Sequence, residues 1–201
     1  MAPLYKKVKE VIEKRQPPPL VKMNRGELKN PSWVSDPKIS GGFLYETAIH
    51  VLDIVRFFFG EVEKVSCLAK SNIYSNQLDD FIITLSFKNG IVASVISSGH
   101  ATWMFPYERI EIFGDHWCIE TEEYDRLSYS PGLDSAIEVK DFSQLDREVK
   151  WGYVEEDSKF IEAVLGKASP PATHLDGLKA VEIVEACYRS AEKNVEIGLP
   201  L

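Results

Sequence analysis

The stretch Gly41–Gly60, GGFLYETAIHVLDIVRFFFG, decides how this chain reads. Its Phe43, Leu44, Tyr45, Ala48, Ile49, Val51, Leu52, Ile54, Val55 and Phe57 to Phe59 point in nearly every helical direction. A helix apolar almost all round is predicted to be buried on most sides. Ser40 is the expected N-cap and Gly60 the expected left-handed stop, giving one helix over 41–60. On it, Glu46, His50 and Asp53 fall at i, i+4 and i+7 and form a single polar stripe. Burying ionisable groups is costly unless they pair or face a cleft. A histidine beside carboxylates titrates near neutrality, so the stripe is a candidate for acid–base chemistry. The residues alone leave other readings open. His50 could be a satisfied core histidine, with Glu46 a surface cap and Asp53 paired to Arg56. Metal binding needs a third ligand, and none is apparent beside Glu46 and His50.

Outward from this helix, the period of the pattern changes. Pro3–Arg15 carries Leu4, Val8, Val11 and Ile12 at helical spacing, and Pro17-Pro18-Pro19 stops it. Leu20–Asn24 reads as a short strand, with a loop from there to Ser40-Gly41-Gly42. Beyond the helix, period-two patterning predicts strands at Val62–Lys70, Asp80–Phe87 and Ile91–Ser98, the last two joined by a tight Lys88-Asn89-Gly90 turn. Glu108–Phe113 and Trp117–Thr121 form a second hairpin around Gly114-Asp115, followed by weaker strands at Arg126–Ser130 and Ala136–Val139. Helical spacing returns from Tyr153 to Gly166 and over Asp176–Asn194. Helix, successive short-linked strands, then helices is an α+β pattern: a predominantly antiparallel sheet with helices on one face. No linker or repeat divides the chain, so residues 1–201 are expected to be one domain.

Composition narrows the function classes. The chain has 201 residues, is 44% hydrophobic and carries a net charge of −8, enough apolar content for a proper core. No basic cluster tracks phosphates, so nucleic acid is not an expected partner. No apolar run approaches the roughly 18 residues of a membrane span, and the first residues lack a signal-peptide core, so a cytoplasmic protein is expected. Cys67, Cys118 and Cys187 are scattered, odd in number and without paired spacing, which argues for reduced thiols rather than disulfides or zinc.

Gly41-Gly42, Glu46, His50 and Asp53, followed by Phe59-Gly60, resemble the GG-x3-D-x3-H-x2-D…G signature of the glucose–fructose oxidoreductase/inositol dehydrogenase/MocA family. Asp79-Asp80-Phe81 through Phe87-Lys88-Asn89-Gly90, Arg109–Gly114, Phe160–Ala163, Asp176-Gly177 and Tyr188–Ala191 resemble further family segments in the same order. The resemblance implies an open-faced sheet, the substrate-side C-terminal domain of an NAD- or NADP-dependent oxidoreductase. The Rossmann half has no counterpart here: no G-x-G-x-x-G opens a βαβ unit. Residues 1–18 would then be a connector helix following that N-terminal domain, which is the expected partner and the main holder of the cofactor. Also implied are hydride transfer at a carbinol of a sugar, cyclitol or related polyol, a homo-oligomer through the sheet face, and inactivity of these residues alone. His50 is implied as the acid–base residue, with Glu46 standing where the family motif has Asp. Asp53, Arg25, Trp33, His100 and Tyr107 are the further substrate-side candidates. The alternative is a non-catalytic ligand-binding or dimerisation module that reuses the fold.

Overall fold

The computed structural model describes residues 2–15, 33, 36–100 and 108–201 in full, and the strand over 20–26 by its backbone. Nine strands form one sheet: β1 (Leu20–Gly26), β2 (Val62–Lys70), β3 (Asp80–Phe87), β4 (Val92–Ser98), β5 (Glu108–Phe113), β6 (Cys118–Glu122), β7 (Arg126–Ser130), β8 (Glu138–Asp141) and β9 (Ile197–Gly198). Their order is β8-β7-β6-β5-β1-β4-β3-β2-β9. Sequential strands pair antiparallel because their connections are short. The exception is β1, which enters the middle of the sheet, runs parallel to β4 and pairs antiparallel with β5.

Alternation decides which face is covered. Val65 and Cys67 on β2, Phe81, Ile83, Leu85 and Phe87 on β3, and Ala93 and Val95 on β4 are buried, as are Ile110 and Ile112 on β5. Each valine, leucine, isoleucine or phenylalanine among them contributes about 1.5–3 kcal/mol on burial. They pack under α1 (Pro3–Glu13), α3 (Ile49–Phe59) and α6 (His174–Lys193), whose apolar stripes supply Leu4, Val8, Val51, Leu52, Val55, Ile183 and Val184. The opposite face stays open, with Leu68, Ile82, Val92, Ile96 and Phe113 all at least 37% exposed. The remaining helices are α2 (Pro37–Ser40), α4 (Arg147–Lys150) and α5 (Tyr153–Val164).

The α+β architecture with an open sheet face matches the expectation, and strand bounds fall within two residues of those read from the sequence. The asparagine–glycine turn closes β3 onto β4 with Gly90 at φ 87°. Asn89 Nδ2 donates to Phe59 O at 2.9 Å and ties that turn to the end of α3. Three differences stand out. The segment over 41–60 is not one α-helix. α2 ends at Ser40, Gly41 turns left-handed, a π turn runs through Leu44–Ala48, and only then does α3 begin. Ser40 therefore caps nothing in the expected sense: its Oγ accepts from Gly42 N–H at 3.1 Å. Residues 37–40, read as loop, are helical because Asp36 Oδ1 accepts from Lys38 N–H at 3.0 Å and Pro37 fits a helical first position. The short α4 and β9 were not anticipated. α1 packs into the core, with Leu4 and Val8 fully buried.

Candidate active site

Gly41 and Gly42 create the site's geometry. Both have positive φ, 81° and 102°, which L side chains rarely adopt. A Cβ on Gly42 would lie 2.6 Å from the Tyr188 hydroxyl of α6. That hydroxyl accepts from Leu44 N–H at 3.2 Å and so satisfies one amide at the start of the π turn. Tyr188 stacks on Tyr45 with centroids 5.7 Å apart and meets Phe81 edge-on at 5.9 Å. Tyr45 donates to Glu185 Oε2 at 2.9 Å, and Arg189 holds the other oxygen of that carboxylate at 2.7 Å. Burial pushes both phenols up to about 12, so both stay protonated at neutral pH.

On this seat the π turn carries Glu46 and leads into His50 and Asp53. Single π turns are rare and recur at functional sites, because they shift side chains out of the α-helical rows. The stripe is not buried as the all-round apolar pattern suggested. Glu46 is partly exposed, and His50 and Asp53 are exposed, because the apolar residues crowd the other sides of α3. Contrary to the expectation of burial, these groups face outward and are accessible. The Glu46 carboxylate accepts from its neighbour's hydroxyl, Thr47 Oγ1. Partial burial raises the Asp53 carboxyl above its ordinary value, with Asp176 adding to this, while Arg56 and His50 oppose it. Asp53 and Arg56 are 3.9 Å apart, at the limit of an ion pair. Arg56 is held more closely by Glu61 at 2.8 Å and Asp176 at 3.1 Å, which clamps the end of α3 to the capping box of α6.

The other candidates divide. His100 sits in the turn after β4, where Nε2 lies 3.0 Å from Asp80 Oδ2. A Cβ on the neighbouring Gly99 would lie 3.2 Å from the Phe43 ring. Asp79, Asp80 and His100 could converge on a cation. The fully buried Asp79 carboxylate already accepts from the N–H groups of Asn72, Ile73 and Tyr74 at 2.7 Å each, which ties it to the turn before β3. Trp33 is half exposed. Arg25 lies on β1 between Ser97 and Glu108, with its side chain outside the described residues. Tyr107 is also outside the described residues. Tyr188, Tyr45 and Glu185 were missed as supports of the site. Two adjacent glycines opening a helical segment were the available signal, since something had to approach their backbone closely. Two clefts among the described residues, about 400 Å³ between α1 and β7–β8 and about 550 Å³ by the outer ends of β2–β4, lie apart from Glu46, His50 and Asp53.

These residues do not fit a nicotinamide dinucleotide. The glycine pair does not cradle phosphates, because the Tyr188 hydroxyl fills the space it leaves.

Glu46, His50 and Asp53 thus form an accessible stripe on the glycine-seated helical segment of an α+β domain. Residues 19–199 match the model of the oxidoreductase family, C-terminal alpha/beta domain, and the chain belongs to this GFO/IDH/MocA family. It is 27% identical over 215 residues to the uncharacterized oxidoreductase YrbE of Bacillus subtilis (strain 168), covering 99% of this chain and 59% of that protein. It is also 27% identical over 172 residues to myo-inositol 2-dehydrogenase of Thermotoga maritima, covering 81% of this chain and 50% of the relative. In fold it is similar to levoglucosan dehydrogenase in complex with NADH and levoglucosan, with a TM-score of 0.84 at 21% identity, covering all of this chain and 63% of that one. The chain thus spans between half and three-fifths of the curated relatives it matches. Among the described residues no helix is long and apolar enough to cross a membrane.

Proposed function

We propose that this chain is the substrate-side part of an NAD(P)-dependent dehydrogenase acting on a carbinol of a sugar, cyclitol or related polyol. The observation that carries the reading is the accessible stripe of Glu46, His50 and Asp53 on the π turn and α3. Family membership and the relatives' names, inositol and levoglucosan dehydrogenases, support the substrate class. As a carbinol becomes a carbonyl, its hydroxyl proton needs an acceptor, and His50 is the group suited to take it at neutral pH. Glu46 orients the imidazole or polarises the hydroxyl, and Asp53 supports from one turn on. The nicotinamide is held by polypeptide beyond these residues, so the 201-residue chain alone is inactive. Trp33, His100, Arg25 and Tyr107 are lesser substrate-side proposals, and His100's pairing with Asp80 weakens its case. The whole protein is read as cytoplasmic, in keeping with three free cysteines.

The open sheet face supports a second element of the reading. Leu68, Ile82 and Ile96 are more than 40% exposed on adjacent strands, and a second copy covering them gives a homo-oligomer. The same face also supports the alternative, a dimerisation module without catalysis.

The test is the longer enzyme assayed with NAD and NADP against myo-inositol, levoglucosan and aldoses. His50→Ala should lower kcat by roughly a hundredfold or more while leaving the melting temperature nearly unchanged, since His50 is exposed. Unchanged kinetics would favour the non-catalytic module.

A further inference from the structure

We propose that the cleft between α1 and β7–β8 binds an organic phosphate monoester, its phosphate among the lysines and its apolar or aromatic body on the cleft floor. The cleft lies apart from Glu46, His50 and Asp53, so its occupancy does not depend on the reading of that stripe as catalytic.

The cleft exists because the sheet reaches one strand further than the helix that covers it. α1 packs on β7, but every residue of β8 is exposed. Leu127 is opposite Lys140, and Tyr129 opposite Glu138, in the register of β7 with β8. Directly paired residues share a face, so the buried Leu127 and Tyr129 lead outward to Lys140 and Glu138. On the other side, Lys7, Val11 and Lys14, at i, i+4 and i+7, line the cleft along one stripe of α1 and its cap, with Arg15 beyond. The enclosed space is about 400 Å³, within the range of small-molecule sites.

The charge of this cleft runs against that of the chain. Acidic residues outnumber Lys and Arg by 31 to 23 overall, yet four of the eight lining residues are cations and one is a carboxylate. Lys7 pairs with Glu10 at 2.8 Å, and the Arg15 guanidinium lies 5.5 Å from the Tyr129 ring centroid. Among the described residues, Lys14 and Lys140 form no ion pair. Four cations set against Glu138 and Glu10 leave two positive charges. The C-terminus of α1 adds only about half a negative charge, felt within its last turn. A phosphate monoester carries about 1.5–2 negative charges at pH 7, which complements this balance. Lysine ammonium groups act as point charges on flexible stems and suit its outward oxygens. Val11, Leu127 and Tyr129 supply an apolar floor, which an inorganic ion would leave uncovered and an organic body would cover.

The test is calorimetric titration of the 201-residue chain with phenyl phosphate, inorganic phosphate, benzyl alcohol and citrate. Phenyl phosphate should bind roughly tenfold more tightly than inorganic phosphate, because its ring buries apolar area, and benzyl alcohol should not bind. Lys14→Gln combined with Lys140→Gln should weaken phenyl phosphate by roughly tenfold or more. Both lysines are exposed, so the fold should tolerate the change. Val11→Ser should narrow the gap between the two phosphates. Lys193→Gln, at the end of α6 beside β9 on the opposite sheet edge, should alter neither. No binding of phenyl phosphate at millimolar concentration overturns the proposal. So do equal affinities for the two phosphates, or unchanged binding in the double variant. Tighter binding of citrate than of phenyl phosphate also overturns it, since the ligand would then be a polycarboxylate.

Discussion

The Tyr188 hydroxyl stands 2.6 Å from the point where a side chain on Gly42 would begin, and it accepts the amide proton of Leu44 two residues on. A phenol on α6 and a glycine before α3 therefore shape the same turn. Gly42→Ala is expected to destabilise the domain by about 2–3 kcal/mol, from the positive φ together with the clash. Tyr188→Phe removes the clashing oxygen and also the acceptor for Leu44. In a double-mutant cycle by urea unfolding, the two substitutions should cost clearly less together than the sum of their separate costs. Simple additivity would mean that the two groups do not meet.

Gly114 is a second point of close approach. A Cβ there would lie 1.9 Å from the Trp117 ring, which is itself 96% buried against the core. The indole cannot move aside as an exposed side chain could. Gly114→Ala is expected to cost about 2–4 kcal/mol, as overpacking of a core does, and to lower the thermal midpoint accordingly. Asp115→Ala, beside it and exposed, should leave the midpoint nearly unchanged.

Glu46 stands where the family motif carries aspartate, which separates charge from reach. In the longer enzyme, Glu46→Gln keeps the shape and removes the charge, so kcat/KM is expected to fall by roughly a hundredfold. Glu46→Asp keeps the charge and should stay within about tenfold of the parent. The measurement is steady-state kinetics with the best polyol substrate. Equal losses in both variants would show that reach matters as much as charge.

How far the sequence could be read is visible at these same residues. Val65, Cys67, Ile83, Leu85, Ala93 and Val95 alternate with exposed neighbours, and that period of two fixed the central strands to within a residue or so. The π turn was not legible, because Leu44–Ala48 has the same apolar content as the α-helix that follows. Its cause lies 140 residues away, in Tyr188 and Glu185 on α6. The exposure of His50 was misjudged for a related reason. An all-round apolar count does not show that Phe57 and Ile54 are only partly covered, nor which side of α3 the sheet and α6 take up. Gly114 was read as a turn glycine; its closer constraint is the indole three residues later, which local turn chemistry does not reveal. Parallel pairing of β1 with β4 was equally hidden, since register between distant strands leaves no mark on either sequence.

Glu108 gives the chain a distinctive pH response. It opens β5 with its side chain on the covered face, 2% exposed, and Oε1 has no hydrogen-bond partner among the described residues. Its backbone carbonyl accepts from Glu123 N–H at 2.8 Å, which places a second carboxylate nearby, and Arg25 is its cross-strand neighbour on β1. Burial, with the charge of Glu123, raises its carboxyl to about 8 from an ordinary value of 4.5. The folded state therefore holds this proton at pH values where the unfolded chain has released it. Where the native state binds more protons, stability falls as pH rises. The loss begins near 4.5, runs to about 8 and then levels off, at most on the order of 5 kcal/mol in all. Glu108→Gln mimics the protonated form and should remove this slope, so that the variant overtakes the parent as pH increases from 5 to 8. Urea unfolding of both proteins across that range isolates the effect, because every other titrating group is common to the pair. Parallel curves would mean that Glu108 is ionised in the folded domain at neutral pH and is stabilised there by a counter-charge, with Arg25 the first residue to substitute.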